Sequence, residues 1–275
     1  MINSYEQEIK QGDRFQFGEN WKRFLSVLND ERIAEAEKSL KEMLGVEDLQ
    51  GKTFLDIGSG SGLFSLAARR LGAKVHSFDY DPQSVACTQE LKHRYFLGDS
   101  NWAIEQGSVL DVDYMKSLGQ FDIVYSWGVL HHTGAMWQAM ENASLPVVDG
   151  GQLFIAIYND LEGASRRWHK VKQFYCSGIL ARTLVIAYFI PYFILKGLAV
   201  DMVKLRNPLL RYAEYKKSRG MSIVHDWYDW LGGYPYEVAK PEEIFKFYRD
   251  KGFTLKNLLT SVGGLGNNQF VFVRQ

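Results

Sequence analysis

Cysteine is scarce in this chain: Cys87 and Cys176 are the two in 275 residues. Their spacing matches neither a zinc site nor a disulfide framework, so no metal is expected and a reducing, cytoplasmic compartment is. Net charge is also missing. The 32 Lys/Arg balance 32 Asp/Glu, which argues against a general nucleic-acid binder and leaves no nucleic-acid partner expected. The opening residues, Met-Ile-Asn-Ser-Tyr-Glu-Gln-Glu, hold neither the basic nor the apolar block of a secretory leader. The stretch between Arg182 and Lys196 has 13 uncharged, mostly apolar residues. As helix it would measure about 20 Å, short of the ~30 Å hydrocarbon layer. Pro191 would also kink it, so no transmembrane span is expected. What is abundant is core material: 46% of the chain is hydrophobic and 14% aromatic, as a packed enzyme requires.

One stretch carries most of the information. Thr53-Phe54-Leu55-Asp56-Ile57 is a short apolar run, followed by Gly58, Gly60 and Gly62 at alternate positions and then a helical pattern from Leu63 to Leu71. Strand, glycine turn and helix in that order let backbone approach a bound nucleoside, because glycine has no Cβ and tolerates positive φ. Such glycines can equally serve packing. A second strand, Lys74 to Phe78, ends in Asp79, 23 residues past Asp56. An acid at that distance can accept hydrogen bonds from both ribose hydroxyls. Alone it would read as an N-cap or a solvated loop acid; with the glycines it favours a nucleoside. Tyr80 can cover an adenine face, and Asp81-Pro82 starts a helix.

These residues resemble the first two motifs of class I S-adenosylmethionine (SAM)-dependent methyltransferases: Leu55 to Gly62, with Ser59 inside the turn, and Phe78 to Pro82. Glu105-Gln106-Gly107-Ser108-Val109-Leu110-Asp111 is similar to the third motif, and Phe121 to Thr133 to the fourth-strand segment. Gly150 to Ile157 resembles the fifth strand. The likeness spans residues 50–160 closely and the last 35 loosely. It implies a Rossmann-like α/β fold, a doubly wound seven-stranded sheet whose last strand is antiparallel, with SAM as cofactor. It also implies cofactor contacts at Asp56, Gly58, Ser59, Gly60, Gly62, Asp79, Tyr80, Ser108, Val109 and Trp127. Ser108 stands where many members carry an acid, so adenine recognition would rest on the Val109 amide or on Asp111. Nothing resembles the Asp/Asn-Pro-Pro-Tyr sequence of base amino-methylases. By pattern the chain is similar to the ubiquinone-biosynthesis O-methyltransferase branch, but the acidic residues that branch places beside the histidine after the fourth strand are missing.

The organisation divides into four: an N-terminal helical flap (1–50), a SAM-binding core (51–159), a helical insertion or substrate lid (160–240), and a C-terminal helix and strand hairpin completing the core (241–275). Apolar spacing predicts one or two helices over residues 19–44. From Pro241 a helix over Glu242–Lys251 and strands near Thr254–Thr260 and Gln269–Val273 are expected, reversed by the loop Ser261 to Asn268. Phe15, Phe17 and Trp21 either close over a sulfonium or dock a helix onto the sheet. Segment 160–220 holds twelve Lys/Arg and four Asp/Glu, a net +8. It is either a lid with a solvated basic face, or a basic amphipathic element making peripheral membrane contact through 179–200.

Methyl transfer needs in-line alignment, water exclusion and, for an oxygen nucleophile, a base or metal. Candidate bases follow the strands' carboxyl ends: His131 and His132 after the fourth, Asn159 and Asp160 after the fifth. The cluster His225-Asp226-Trp227-Tyr228-Asp229-Trp230 adds an imidazole beside a carboxylate, which can fix its tautomer. Catalytic candidates are therefore His132, His225 and Asp226. The expected reaction is methylation of a small-molecule acceptor, at oxygen on a hydroxylated ring, sugar or quinone-like compound. The alternatives are modification of a lipid-linked or glycan substrate at a membrane surface, a NAD-dependent oxidoreductase, and a non-catalytic SAM-binding module.

Overall fold

The computed structural model describes residues 2–205, 207–208, 223–261 and 264–275. Helices α1 (Ile2–Gln11), α2 (Gly18–Leu25) and α3 (Asp30–Leu44) precede the core. Asn29 caps α3 by accepting a hydrogen bond from the Arg32 amide, and Gly45 ends it in the left-handed region, the sequence-coded start and stop of a helix. The periodic apolar residues Ile33, Ala36, Leu40 and Leu44 are all buried. Helix α1 lies within the expected N-terminal helical flap, ahead of the 19–44 stretch whose apolar spacing predicts helix.

The core alternates strictly. It runs β1 (Thr53–Ile57), α4 (Leu63–Arg70), β2 (Lys74–Asp79), α5 (Pro82–Tyr95), β3 (Trp102–Gln106), α6 (Val112–Ser117), β4 (Phe121–Trp127), α7 (Met136–Ser144) and β5 (Val147–Tyr158). The insertion holds α8 (Gly163–Cys176), α9 (Ile179–Val203) and α10 (Ile223–Gly232); α11 (Pro241–Arg249), β6 (Phe253–Leu259) and β7 (Asn267–Arg274) close the chain. One seven-stranded sheet results, in the order β3-β2-β1-β4-β5-β7-β6. β7 runs antiparallel to both β5 and β6, as expected. The reversing loop's Val262 and Gly263 lie outside the described residues.

Parallel strands covered on both faces must be apolar on both, and successive residues take opposite sides. Leu55, Ile57, Val124 and Ile155 pack on one face with Met140 and Ile244. Phe54, Ile123, Tyr125 and Phe154 pack on the other with Leu40, Leu66 and Leu91. A third cluster joins Phe15 to Tyr175, Val185 and Leu231 of the insertion.

Helix α9 corrects the expectation of a short, broken apolar segment. It continues through Pro191 for 25 residues, about 37 Å at the usual rise. By length and composition it is sufficient to cross a membrane. A proline removes one backbone bond, and the flanking turns, packed on α8 and α10, carry the helix across it.

Candidate active site

Strand order reverses between β1 and β4, and open α/β sheets bind ligands beyond the carboxyl ends of strands at such a switch point. The glycine turn sits there. Gly60 has φ +55°, and a Cβ on it would lie 3.1 Å from the Trp21 ring. The N-terminal strap therefore rests directly on the turn. The Gly60 amide donates to Asp79 Oδ2 at 2.9 Å and the Asp81 amide to Asp79 Oδ1 at 2.9 Å. Each carboxylate oxygen keeps a second lone pair, so Asp79 can still accept from two hydroxyls. Burial, opposed by those two amides, raises its pKa from 3.8 to about 6.

A cavity of about 520 Å³ adjoins it, lined by Glu8, Asp13, Arg14, Tyr80, Ser108, Leu110, Asp111, Thr133 and Pro235. Tyr80 and Ser108 thus line the same cavity. Ser108 Oγ accepts from the Leu110 amide at 3.2 Å, and Asp111 caps α6 by accepting from the Asp113 and Tyr114 amides. The Val109 side chain is buried and its carbonyl accepts from Asn142 Nδ2 at 2.8 Å. Trp127 stands at the exposed end of β4, its Nε1 donating to Gln269 Oε1 at 3.2 Å.

Two of the expected contact residues serve the turn from behind. Asp56 is buried, accepts from Ser65 Oγ and does not line the cavity. Ser65 in turn meets Ser77 Oγ at 2.7 Å, which accepts from Trp102 Nε1 at 2.9 Å. Burial lifts the Asp56 pKa to about 7. Ser59 Oγ pairs with Thr88 Oγ1 at 2.9 Å, and Gly62, the α4 N-cap, is pressed against Thr88.

The strap adds residues the sequence reading missed. Arg14 Nε donates to Glu8 Oε2 at 2.6 Å and its Nη1 to the His132 carbonyl at 2.9 Å, with the guanidinium 5.0 Å from the Tyr80 ring centroid. Tyr80 Oη donates to Glu8 Oε1 at 2.9 Å. The three flap aromatics divide: Phe15 packs into the insertion cluster, whereas Phe17 lies 5.1 Å from the His132 ring and Trp21 covers Gly60. The amides of Phe15 and Gly18 donate to the Tyr234 carbonyl and Asp81 Oδ2, each at 2.8 Å. The strap therefore ties cofactor side to insertion. A lone arginine ahead of the first strand carries no sequence signal for that role.

Beyond β4 and β5 the structure gathers His131, His132, Tyr158, Trp230 and Tyr236. The Tyr158 ring lies 4.1 Å from His131, 5.9 Å from Trp230 and 5.4 Å from Tyr236. Lys172 belongs to the lopsided basic charge of the insertion, yet it is buried here. Its Nζ donates to the Trp230 carbonyl and lies 4.2 Å from the Trp230 ring and 5.0 Å from that of Tyr236. His132 Nδ1 donates to the Pro235 carbonyl at 2.5 Å, which leaves Nε2 as the lone-pair nitrogen. Burial, with Lys172 and Arg14 adding repulsion, lowers its pKa to about 3. Its ring is thus neutral across the working range and, as it stands, a weak base. His131 is neutral for the same reason, burial foremost. Asn159 holds the hairpin instead, accepting from Asn268 Nδ2 at 3.0 Å. Helix α10 carries His225, Asp226 and Asp229, whose side chains lie outside the described residues.

Comparisons with known proteins agree with this geometry. Residues 55–153 match the family model of a methyltransferase domain. The ribosomal protein L11 methyltransferase of Methylococcus capsulatus is 42% identical over 73 residues, 26% of this chain and 25% of that protein. A tRNA U34 carboxymethyltransferase of Enterobacter sp. is 32% identical over 111 residues, 40% of this chain and 33% of that one. The chain thus spans a quarter to a third of these relatives' lengths. Magnesium protoporphyrin IX methyltransferase from Synechocystis, solved with bound SAH, shares the fold. Its TM-score is 0.53 at 14% identity, over 88% of this chain and 83% of that one. Residues 55–153 thus match a methyltransferase domain, and the sheet order is the one that the resemblance to class I S-adenosylmethionine-dependent methyltransferases implies.

Proposed function

We propose that this protein transfers a methyl group from S-adenosylmethionine to a small-molecule acceptor, at an oxygen of a hydroxylated ring, sugar or quinone-like compound. The carrying observation is the juxtaposition of the Asp79 carboxylate, the cradle at Gly60 and the cavity between Tyr80 and Ser108. An acid with spare lone pairs suits ribose hydroxyls, a turn without Cβ suits close backbone approach, and a tyrosine face suits adenine. The bound cofactor would supply an already activated methyl group. The chain's own tasks are then to align, to exclude water and to accept a proton.

The aromatic roof of α8, α10 and the 233–237 loop supports a small acceptor over a long polymer. Trp230, Tyr236 and the buried Lys172 close the side beyond β4 and β5. In this reading residues 160–240 form the acceptor lid, and 51–159 with 241–275 the cofactor core. His132 Nε2, its partner nitrogen held by Pro235, is the proton acceptor. Imidazolium formed there is costly beside Lys172 and Arg14, so the step suits an acceptor whose own anion pairs with these cations. Titration calorimetry with SAM, S-adenosylhomocysteine (SAH) and NAD tests the cofactor: preference for NAD would overturn the proposal. A radiolabelled methyl-transfer screen across phenols, quinols and sugars tests the acceptor. Relatives named for ribosomal protein L11 and tRNA favour a macromolecule as second reading. Labelling of a protein or RNA fraction, and of no metabolite, would select it.

A further inference from the structure

Helix α9 has two faces of opposite fate. Ala181, Val185, Gly197 and Asp201 are buried. Phe189 lies 5.2 Å from Trp168, and Phe193 lies 6.4 Å from Trp168 and 5.5 Å from Trp227. These residues recur at helical spacing and dock α9 along its length on α8 and α10. On the other side Leu180, Leu184, Tyr188, Leu195 and Met202, also at helical spacing, are 54–72% exposed. A helix apolar all round needs cover on all sides, and the described residues supply it on one only.

The charge pattern around that outer face identifies the cover. Lys196 and Lys204 are exposed and the Arg182 guanidinium lies 5.1 Å from the Tyr175 ring of α8, whereas the helix's single acid, Asp201, is buried. Lys196 Nζ lies 6.0 Å from the Tyr192 ring centroid, a cation beside an aromatic of the kind found at membrane interfaces. Residues 160–220 carry +8 in a chain of net charge zero. Pairing this face with that of a second copy would bring cation toward cation, with no exposed acid of α9 to meet them. A span across a bilayer would strip the inner face from α8 and α10. We infer that α9 lies in the plane of an anionic lipid bilayer, its outer stripe in the acyl boundary and its Lys/Arg among the headgroups.

The full chain is to be sedimented with vesicles of phosphatidylcholine alone and with added phosphatidylglycerol. Leu184→Glu/Leu195→Glu and Lys196→Glu/Lys204→Glu are compared with it. All four positions are exposed, so both variants should keep the wild-type circular dichroism and SAH affinity. The wild type should bind the anionic vesicles and weakly the neutral ones, with salt-sensitive partition. Each variant should lose about tenfold or more, since each surface charge contributes roughly 1 kcal/mol. No wild-type binding, or variants that partition unchanged, would overturn the inference. So would light scattering that finds a dimer which Leu184→Glu/Leu195→Glu turns into monomer, for then a second copy covers the stripe.

Discussion

Replacing Asp79 by Asn separates a binding role from a structural one. Two terms act on stability and oppose each other. Burial raises the carboxyl pKa from 3.8 to about 6, so ionising it in the fold costs about 3 kcal/mol, which Asn removes. That figure is already net of the Gly60 and Asp81 amide bonds; against it, one of these amides meets the Asn amino group instead of an acceptor, a loss of about 1–3 kcal/mol. The two nearly cancel, and the melting temperature should move by only a few degrees. Cofactor affinity has no such compensation. Two ribose hydroxyls donating to a charged acceptor would be reduced to one neutral bond, at about 2–3 kcal/mol, or roughly 30–150-fold in Kd. Calorimetry with SAH at pH 8, beside a thermal melt, reads both. A Kd within threefold of wild type with an unchanged melt would refute the ribose assignment. A collapse of the melt would make Asp79 a structural residue. The pH dependence follows with a definite sign. The folded protein holds this proton more tightly than the unfolded chain, so Asp79's stability contribution is greatest below 3.8 and is lost as pH rises through about 6. SAH affinity runs the other way, weakening as pH falls through about 6, and Asp79→Asn should abolish that limb.

Gly58→Ala should lower stability by about 2–4 kcal/mol, from its positive φ plus overpacking. The new Cβ would meet Val129 Cγ1 at 2.4 Å, and a denaturant titration with unchanged midpoint would contradict that geometry. His132→Asn keeps a donor for the Pro235 carbonyl but loses the lone-pair nitrogen. Methyl transfer should fall about a hundredfold with SAH affinity kept, and undiminished turnover would remove His132 from the chemistry. Because its pKa is held near 3, the wild-type rate profile should show no acid limb from this imidazole above pH 5. Burial pushes the thiols of Cys87 and Cys176 to about 11. Both should resist alkylation in the native protein at pH 8 and react on denaturation; rapid native labelling of Cys87 would contradict its burial.

The methyltransferase core was legible because its signals are local. A strand, a glycine turn and a helix cap are written within ten residues, and Asp79 sits at a distance that β2 and the intervening α4 dictate. The apolar alternation that builds both faces of the sheet is likewise periodic in the chain, as is the final hairpin. What lay outside the sequence depends on contacts between distant segments. Arg14 reaches the His132 carbonyl 118 residues away, and Lys172 reaches the carbonyl of Trp230, 58 residues on. Neither pairing leaves a spacing to read. Asp56 looks like a cofactor residue in sequence, yet its carboxylate turns behind the turn to Ser65, because side-chain direction is set by strand register. The length of α9 is hidden in the sequence for a related reason: charges at Arg182 and Lys196 bound an apolar run, but a helix carries them on its surface and continues. The sequence alone determined where the strand, glycine turn and helix of the proposed cofactor cradle lie, since these depend on backbone conformations coded locally. Tertiary structure decided what closes over it, because a strap, a buried lysine and a two-faced helix acquire meaning only through what they pack against.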